Sequence, residues 1–186
     1  GIEPKDGFLQ HLRNLCDKYN VVLIFDEVKT GFRLSNGGAR ETYEVIPDIS
    51  TYAKSLGNGV PVAAFGGKSE VMNVIGGGSV AHAGTFGGNG VSMSAANAVL
   101  DILNEAPVLK ELSIRGQKLK KEMDNILDEV GIPHQMCGHP NIQGFLITEH
   151  KVEEVRDLSY SDYSMYEKIM DHMSTITELE FQKKQI

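Results

Sequence analysis

The sequence predicts an α/β fold built on a mostly parallel sheet. Three observations lead there. The first is an apolar run at residues 21–25 (Val21, Val22, Leu23, Ile24, Phe25) that stops abruptly at Asp26 and Glu27. Such a run, partly β-branched, suits a strand buried on both faces of a parallel sheet. The second lies just before it. Phe8, Leu9, Leu12, Leu15, Cys16 and Tyr19 recur at helical spacing and make one apolar face. Helix followed by strand is the rhythm of an α/β domain. The third is another strand-like run at residues 49–53, which ends in Lys54 and a turn of Gly57, Asn58 and Gly59.

The remaining elements follow in order. Asp6 is the expected N-cap of the first helix and Asn20 its close. Residues 29–44 are polar and carry Gly31, Gly37 and Gly38, so they read as a loop with room for a short helical turn. Residues 60–67 (VPVAAFGG) read as a strand with Pro61 at its start, where a missing N–H is tolerated. Residues 69–75 form a short helix with Ser69 as cap and Glu70 in its first turn. Residues 81–90 are a glycine-rich loop, and a helix of small residues follows from Ser92. Residues 107–130 make a long amphipathic helix with Gly131 as its C′ residue. A strand over 142–148 and a helix over 162–173 complete the pattern, and residues 174–186 show none. There is no internal repeat.

Composition narrows the function classes. A chain of 186 residues with 41% hydrophobic and 23% charged residues can form a packed core. Its net charge of −7 argues against a nucleic-acid backbone as partner, which demands clustered Lys and Arg. Cys16 and Cys137 are too few for a disulfide framework, so a reducing cytoplasm is the default compartment. The sequence contains neither a signal-peptide pattern nor an apolar run of the roughly 18 residues that a membrane span requires. His11, His134, His139, His150 and His172 lack metal-ligand spacing, and surface or loop roles suit them better. No metal is expected.

The chemistry lies at the ends of the first two strands. Carboxylates after a strand sit at its carboxyl end, where open α/β sheets bind ligands. An acid and a lysine, each ending a strand of one sheet, are expected to face the same crevice. That pair serves pyridoxal phosphate (PLP) chemistry: the lysine amine forms a Schiff base, and the acid keeps the pyridine nitrogen protonated. Each residue alone has an ordinary reading. An acid after an apolar run is more often a cap, and most lysines are solvated surface charges. Asp26 and Lys54 gain weight only together.

The blocks LIFDEVKTGFR, AKSLGNGVPVAAFGGK and HAGTFGGNG, in this order, closely resemble class III PLP-dependent aminotransferases. Within that family they look most like the glutamate-1-semialdehyde 2,1-aminomutase branch. The resemblance runs from residue 1 to about residue 173. It implies the large domain of a fold type I PLP-dependent transferase, with residues 1–131 its cofactor-binding portion and residues 132–186 the start of an α+β small domain. It also implies that complete members extend beyond this chain at both ends, so a fragment is expected. The phosphate-holding Gly/Ser loop and the aromatic stacked on the ring would then lie in the absent N-terminal part.

Carried over residue by residue, the resemblance makes Lys54 the Schiff-base lysine and 1,3-proton shuttle. Asp26 becomes the partner of the ring nitrogen, and Val28 the residue packed on one ring face. Gly84 and Thr85 become the pair that reaches the cofactor phosphate of the neighbouring subunit, which implies a homodimer with shared sites. Gly87 and Gly90 stand where family members often carry Ser and Pro. Glu27 matches the family as well, with a structural duty equally open to it. Arg33 is a candidate for a substrate carboxylate, although a structural ion pair is the plainer reading. The implied reaction moves an amino group between an amino acid or amine and a keto or aldehyde substrate. An ω-amino-acid transaminase, a decarboxylase or a racemase would share these cofactor residues, so the blocks do not separate them. A truncated or degenerate, non-catalytic subunit is the reading from the other class.

Overall fold

The computed structural model describes residues 2–76, 79–154, 157–158, 162 and 164–171. They divide into two compact units. The first holds residues 4–115 and 140–142, and the second takes in residues 2–3, residues 116–139 and the described residues from 143 onward.

The first unit opens on helix α1, Phe8–Tyr19. Its N-cap is Gly7 at φ 76°, with no side-chain cap bond, so Asp6 does not cap it. Asn20 closes it in the left-handed conformation, as its place before the strand predicted. Strand β1 is Ile24–Asp26, shorter than the apolar run that announces it. Phe25 is buried, whereas Val21, Val22 and Ile24 are exposed. The expected burial on both faces is therefore absent here. Phe25 alone turns inward, and among the described residues nothing pairs with the far edge of β1.

Helix α2, Gly38–Thr42, is the short turn anticipated in the polar segment. Strand β2, Ile49–Tyr52, runs parallel to β1 with Ile24, Phe25 and Asp26 opposite Ile49, Ser50 and Thr51. A 3-10 turn at Lys54–Leu56 follows directly. Strand β3, Ala64–Gly67, pairs with β2 antiparallel, an orientation that apolar patterning does not reveal. Residues 60–63 of the expected strand precede it as irregular chain. Helix α3 is Ser69–Gly76. Helix α4, Gly90–Glu105, begins two residues earlier than Ser92 because the Asn89 side chain accepts from the Val91 and Ser92 N–H groups. Phe25, Val45, Leu56 and Ala96 are the buried apolar residues of this unit. Burying each large one is worth roughly 1.5–3 kcal/mol.

One carboxylate ties the amino-terminal end of the sheet together. Asp48, 7% exposed, accepts from the Leu23 N–H at 2.7 Å and pairs with Arg13 of α1 at 2.9 Å and with Lys68 after β3 at 2.7 Å. Its own backbone N–H donates to the Leu23 carbonyl oxygen, and its carbonyl oxygen accepts from the Lys68 N–H. Burial alone would push the Asp48 carboxyl up. The Leu23 N–H and the Lys68 and Arg13 cations outweigh it and hold the group well below the usual carboxylate range.

Helix α5, Val108–Glu129, matches the long amphipathic pattern. In the second unit, β4 (His134–Cys137) and β5 (Gly144–Ile147) form an antiparallel pair. The β4 segment reads HQMC and carries no strand signal, so the sequence did not foretell it. A 3-10 turn at Pro140–Ile142 takes the start of the expected 142–148 strand. Asp162 and residues 164–171 are helical, and the remainder of the expected 162–173 helix lies outside the described residues. The His134 side chain, 5% exposed, bonds the Ile132 carbonyl oxygen through Nδ1 at 2.9 Å and Asp124 through Nε2 at 3.0 Å. The Ile132 carbonyl first, then Asp124, raises the pKa of the ring against the opposing effect of burial. This histidine serves the second unit as a clasp between the end of α5 and β4.

Removing the Asp48 charge should unfold the sheet's amino end before anything else. Asp48→Asn leaves Arg13 half of its ion pairing and should cost about 3 kcal/mol, in the range for breaking a buried pair. The native carboxyl titrates below its unfolded counterpart. Its contribution is therefore full above the ordinary carboxylate pKa and disappears as pH falls through the native value. Urea midpoints should show wild type losing its advantage over Asp48→Asn only in acid. A gap that stays as wide as at pH 7 down to the lowest pH at which both proteins still fold would refute the ion-pair account.

Candidate functional site

The carboxyl-terminal end of the parallel pair gathers the two residues singled out by the sequence. Asp26 is the last residue of β1 and Lys54 follows the end of β2 by two positions. The strands share register, with Asp26 opposite Thr51. Both side chains lie at the same end of the same two strands because parallel strands present their carboxyl ends together.

Asp26 is exposed, and only one of its oxygens is held. Its Oδ1 accepts from the Val28 N–H at 3.0 Å and from the Thr51 hydroxyl at 3.3 Å. Oδ2 takes no hydrogen bond among the described residues. Val28 is half-buried on the turn that follows.

Glu27 points the other way and is fully buried. Its Oε2 accepts from the Thr30 hydroxyl and from the Ala39 N–H at 2.9 Å, and its Oε1 from the Arg40 N–H at 3.0 Å. It thus satisfies the first turn of α2, where unpaired N–H groups favour an anion. The approach is so close that a Cβ at Gly38, which sits at φ +70°, would lie 2.6 Å from Oε2. The structural duty open to Glu27 is the one it performs. Its backbone N–H also donates to the Thr51 carbonyl oxygen at 2.9 Å, extending the ladder past Asp26.

The Arg33 Nη1 donates to the Lys29 carbonyl oxygen, and the Arg33 carbonyl oxygen accepts from Asn141 at 2.7 Å. Both contacts secure the loop. Phe32 packs its ring on Tyr52 with centroids 5.4 Å apart, which fixes the far end of the same loop to β2.

Lys54 is exposed, and its amine has no hydrogen-bond or ion-pair partner among the described residues. Its backbone lies at φ 43°, in the left-handed region that non-glycine residues adopt at a cost. The turn after it holds this conformation. The Lys54 carbonyl oxygen accepts from the Gly57 and Asn58 N–H groups, and Leu56 is buried. A Cβ on Gly57 would meet the Val60 carbonyl oxygen at 2.3 Å. Gly84 and Thr85 sit in a fully exposed loop closed by a Gly87 N–H bond to the Gly84 carbonyl oxygen at 2.9 Å. No hydrogen bond joins them to Asp26 or Lys54. His82, at the start of that loop, meets Phe65 of β3 edge-on at 5.1 Å. Among the described residues no group of three His, Cys, Asp or Glu residues forms a metal site, and no helix is long and apolar enough to cross a membrane.

The Lys54 backbone gives a test that needs no ligand. In ordinary backbone, Gly is less stable than Ala by roughly 0.5–1 kcal/mol. At a positive φ the order should invert, with Lys54→Gly more stable than Lys54→Ala by about 1 kcal/mol in urea unfolding. Lys54→Ala being the more stable of the two would show that the turn does not hold this conformation.

The family model for class-III aminotransferases matches residues 1–172. Over 172 residues the chain is 40% identical to glutamate-1-semialdehyde 2,1-aminomutase 1 of Lachnoclostridium phytofermentans, an alignment that covers 91% of this chain and 40% of that protein. Among solved structures it resembles an omega-transaminase from Sphaerobacter thermophilus with 34% identity and a TM-score of 0.75, over 84% of this chain and 36% of that one. It also resembles a transaminase solved with PLP bound, with 28% identity and a TM-score of 0.69, over 78% of this chain and 34% of that one. The chain thus spans about 40% of the length of the curated relatives it matches. The chain belongs to the class-III aminotransferase family.

Proposed function

We propose that this chain carries the cofactor lysine and its acid partner in a PLP-dependent enzyme that transfers amino groups, of the transaminase or glutamate-1-semialdehyde 2,1-aminomutase type. The observation that carries the reading is the parallel register of β1 and β2, which ends both Asp26 and Lys54 at one edge. The family match and a relative solved with PLP bound support it. The residues suit the group. A lysine amine without a partner and a carboxylate with one uncommitted oxygen are what an aldehyde and a protonated ring nitrogen require.

When bound, PLP supplies a conjugated ring that accepts the electron pair left by the breaking bond of the substrate. The Lys54 amine would hold the cofactor aldehyde and, when free of it, would move a proton at the substrate carbon. Asp26 keeps the ring nitrogen charged, and Val28 packs against one ring face. Gly84 and Thr85 offer an N–H and a hydroxyl to a phosphate oxygen in the neighbouring subunit of a homodimer. The substrates are an amino acid or amine and a keto or aldehyde acceptor, and the compartment is the cytoplasm. Residues 1–131 are the large-domain portion and residues 132–186 the start of the small domain. In support, β4 and β5 pair with each other and not with β1–β3.

Borohydride reduction of the holoenzyme followed by peptide mapping should place the pyridoxyl label on Lys54. A label on Lys29 or Lys68, or none, would overturn the assignment. The shared site is tested by mixing Lys54→Ala and Thr85→Ala subunits at limiting PLP. A charge-assisted bond from Thr85 is worth roughly 1.5–3 kcal/mol, so its loss should weaken PLP retention about tenfold to a hundredfold. If the loop serves the neighbour, each mixed dimer has one intact site and activity climbs towards half of wild type. No recovery would mean that the loop acts within its own subunit.

A further inference from the structure

We infer that Thr51 is a positioning residue for the cofactor's acid partner: its hydroxyl and the Val28 N–H hold Oδ1 of Asp26, and so dedicate Oδ2 to the ring nitrogen. The inference rests on the reading of Asp26 given above and adds the side chain that orients it.

Three observations converge on Thr51. It stands directly opposite Asp26 in the parallel register, so both side chains leave the sheet on one face. Its Oγ1 lies 3.3 Å from Asp26 Oδ1. Its carbonyl oxygen accepts from the Glu27 N–H at 2.9 Å, which fixes the backbone immediately after Asp26. The Val28 N–H reaches the same oxygen at 3.0 Å, closing a local turn.

Two donors on one carboxylate oxygen leave the group little freedom to rotate about its Cβ–Cγ bond. The oxygen that remains without a partner then points in one direction. A carboxylate held by the turn alone could present either oxygen, and its geometry towards a ring nitrogen would be averaged. The hydroxyl is therefore worth more to the site than to the sheet, because the backbone bonds of Thr51 persist without it. The pairing is also specific in chemistry. Among the described residues, the Thr51 hydroxyl is the β2 side-chain group that donates to Asp26.

The test uses the holoenzyme and reads PLP affinity and the pH titration of the cofactor's visible absorbance. Thr51→Val keeps the β-branched shape and removes the donor, Thr51→Ala removes both, and Thr51→Ser keeps the donor. Asp26→Asn is the reference. Thr51→Val and Thr51→Ala should weaken PLP binding about threefold to tenfold, as loss of one hydrogen bond implies. They should move the absorbance titration in the direction of Asp26→Asn, by less. Thr51→Ser should restore both readouts, which a merely structural role for the threonine methyl would not allow. If Thr51→Val titrates like wild type while Asp26→Asn does not, the positioning role is wrong and the Asp26 assignment stands. If Thr51→Ser behaves as Thr51→Val does, the hydroxyl is not the cause and the inference fails. If Asp26→Asn itself leaves the titration unmoved, the Asp26 assignment fails with it.

Discussion

The buried carboxylate of Glu27 is the constraint on which the candidate site depends. A carboxylate out of contact with water is costly unless each of its oxygens finds a donor. Glu27 meets that demand with the Thr30 hydroxyl and the Ala39 and Arg40 N–H groups. In doing so it brings the start of α2 back against the end of β1. The loop from Val28 to Gly37 is therefore pinned at both ends, and Asp26 is held one residue from an immovable anchor. The pair of adjacent acids divides the work by direction. Successive side chains on extended chain point to opposite faces, so Glu27 turns inward where Asp26 turns outward.

The opposite end of the sheet is secured by a second buried acid with different partners. Asp48 gathers the Leu23 N–H and two cations from separate elements. Its bonds set the parallel register of β2 against β1. Register is what aligns Asp26 with Thr51, and a slip of one residue would turn the facing side chains to the other side of the sheet. The arrangement at the carboxyl end is thus fixed from the amino end. This explains why a domain with few fully buried apolar residues can still hold two polar side chains in place.

Much of this was legible in the sequence, where local patterns control the outcome. The apolar run that stops at Asp26 marked the end of β1. The step from a strand to Lys54 and its glycine turn marked the other half of the candidate site. Periodicity placed α1 and α5, and Asn20 ended α1 as its left-handed preference predicts. Most of what was not legible has one cause. The roles of Glu27 and Asp48 depend on partners that lie 12 and 13 residues away, in the first case, and 25 and 35 residues away, in the second. No local pattern carries such pairings. The antiparallel direction of β3 is likewise set by its neighbour. The start of α4 was misplaced because Asn89 looked like one more loop residue, although a side-chain acceptor before a helix is an N-cap signal. The β4 segment HQMC has no alternation to betray it and owes its pairing to β5.

The site also shows why its two principal residues are treated so differently. A group that polarises a ring must stay still, since electrostatic stabilisation falls when the charge reorients with the reaction. Asp26 accordingly has one oxygen tied by two donors. A group that binds covalently, lets go and then carries a proton must move. Lys54 accordingly has a long side chain and no partner among the described residues. What is fixed in Lys54 is its backbone, held at a positive φ by the turn that follows. That conformation aims the Cα–Cβ bond and leaves the four-carbon stem free to swing. A glycine would relax the backbone and lose the amine. The strain and the mobility therefore occupy different parts of one residue, and each follows from the chemistry proposed for it.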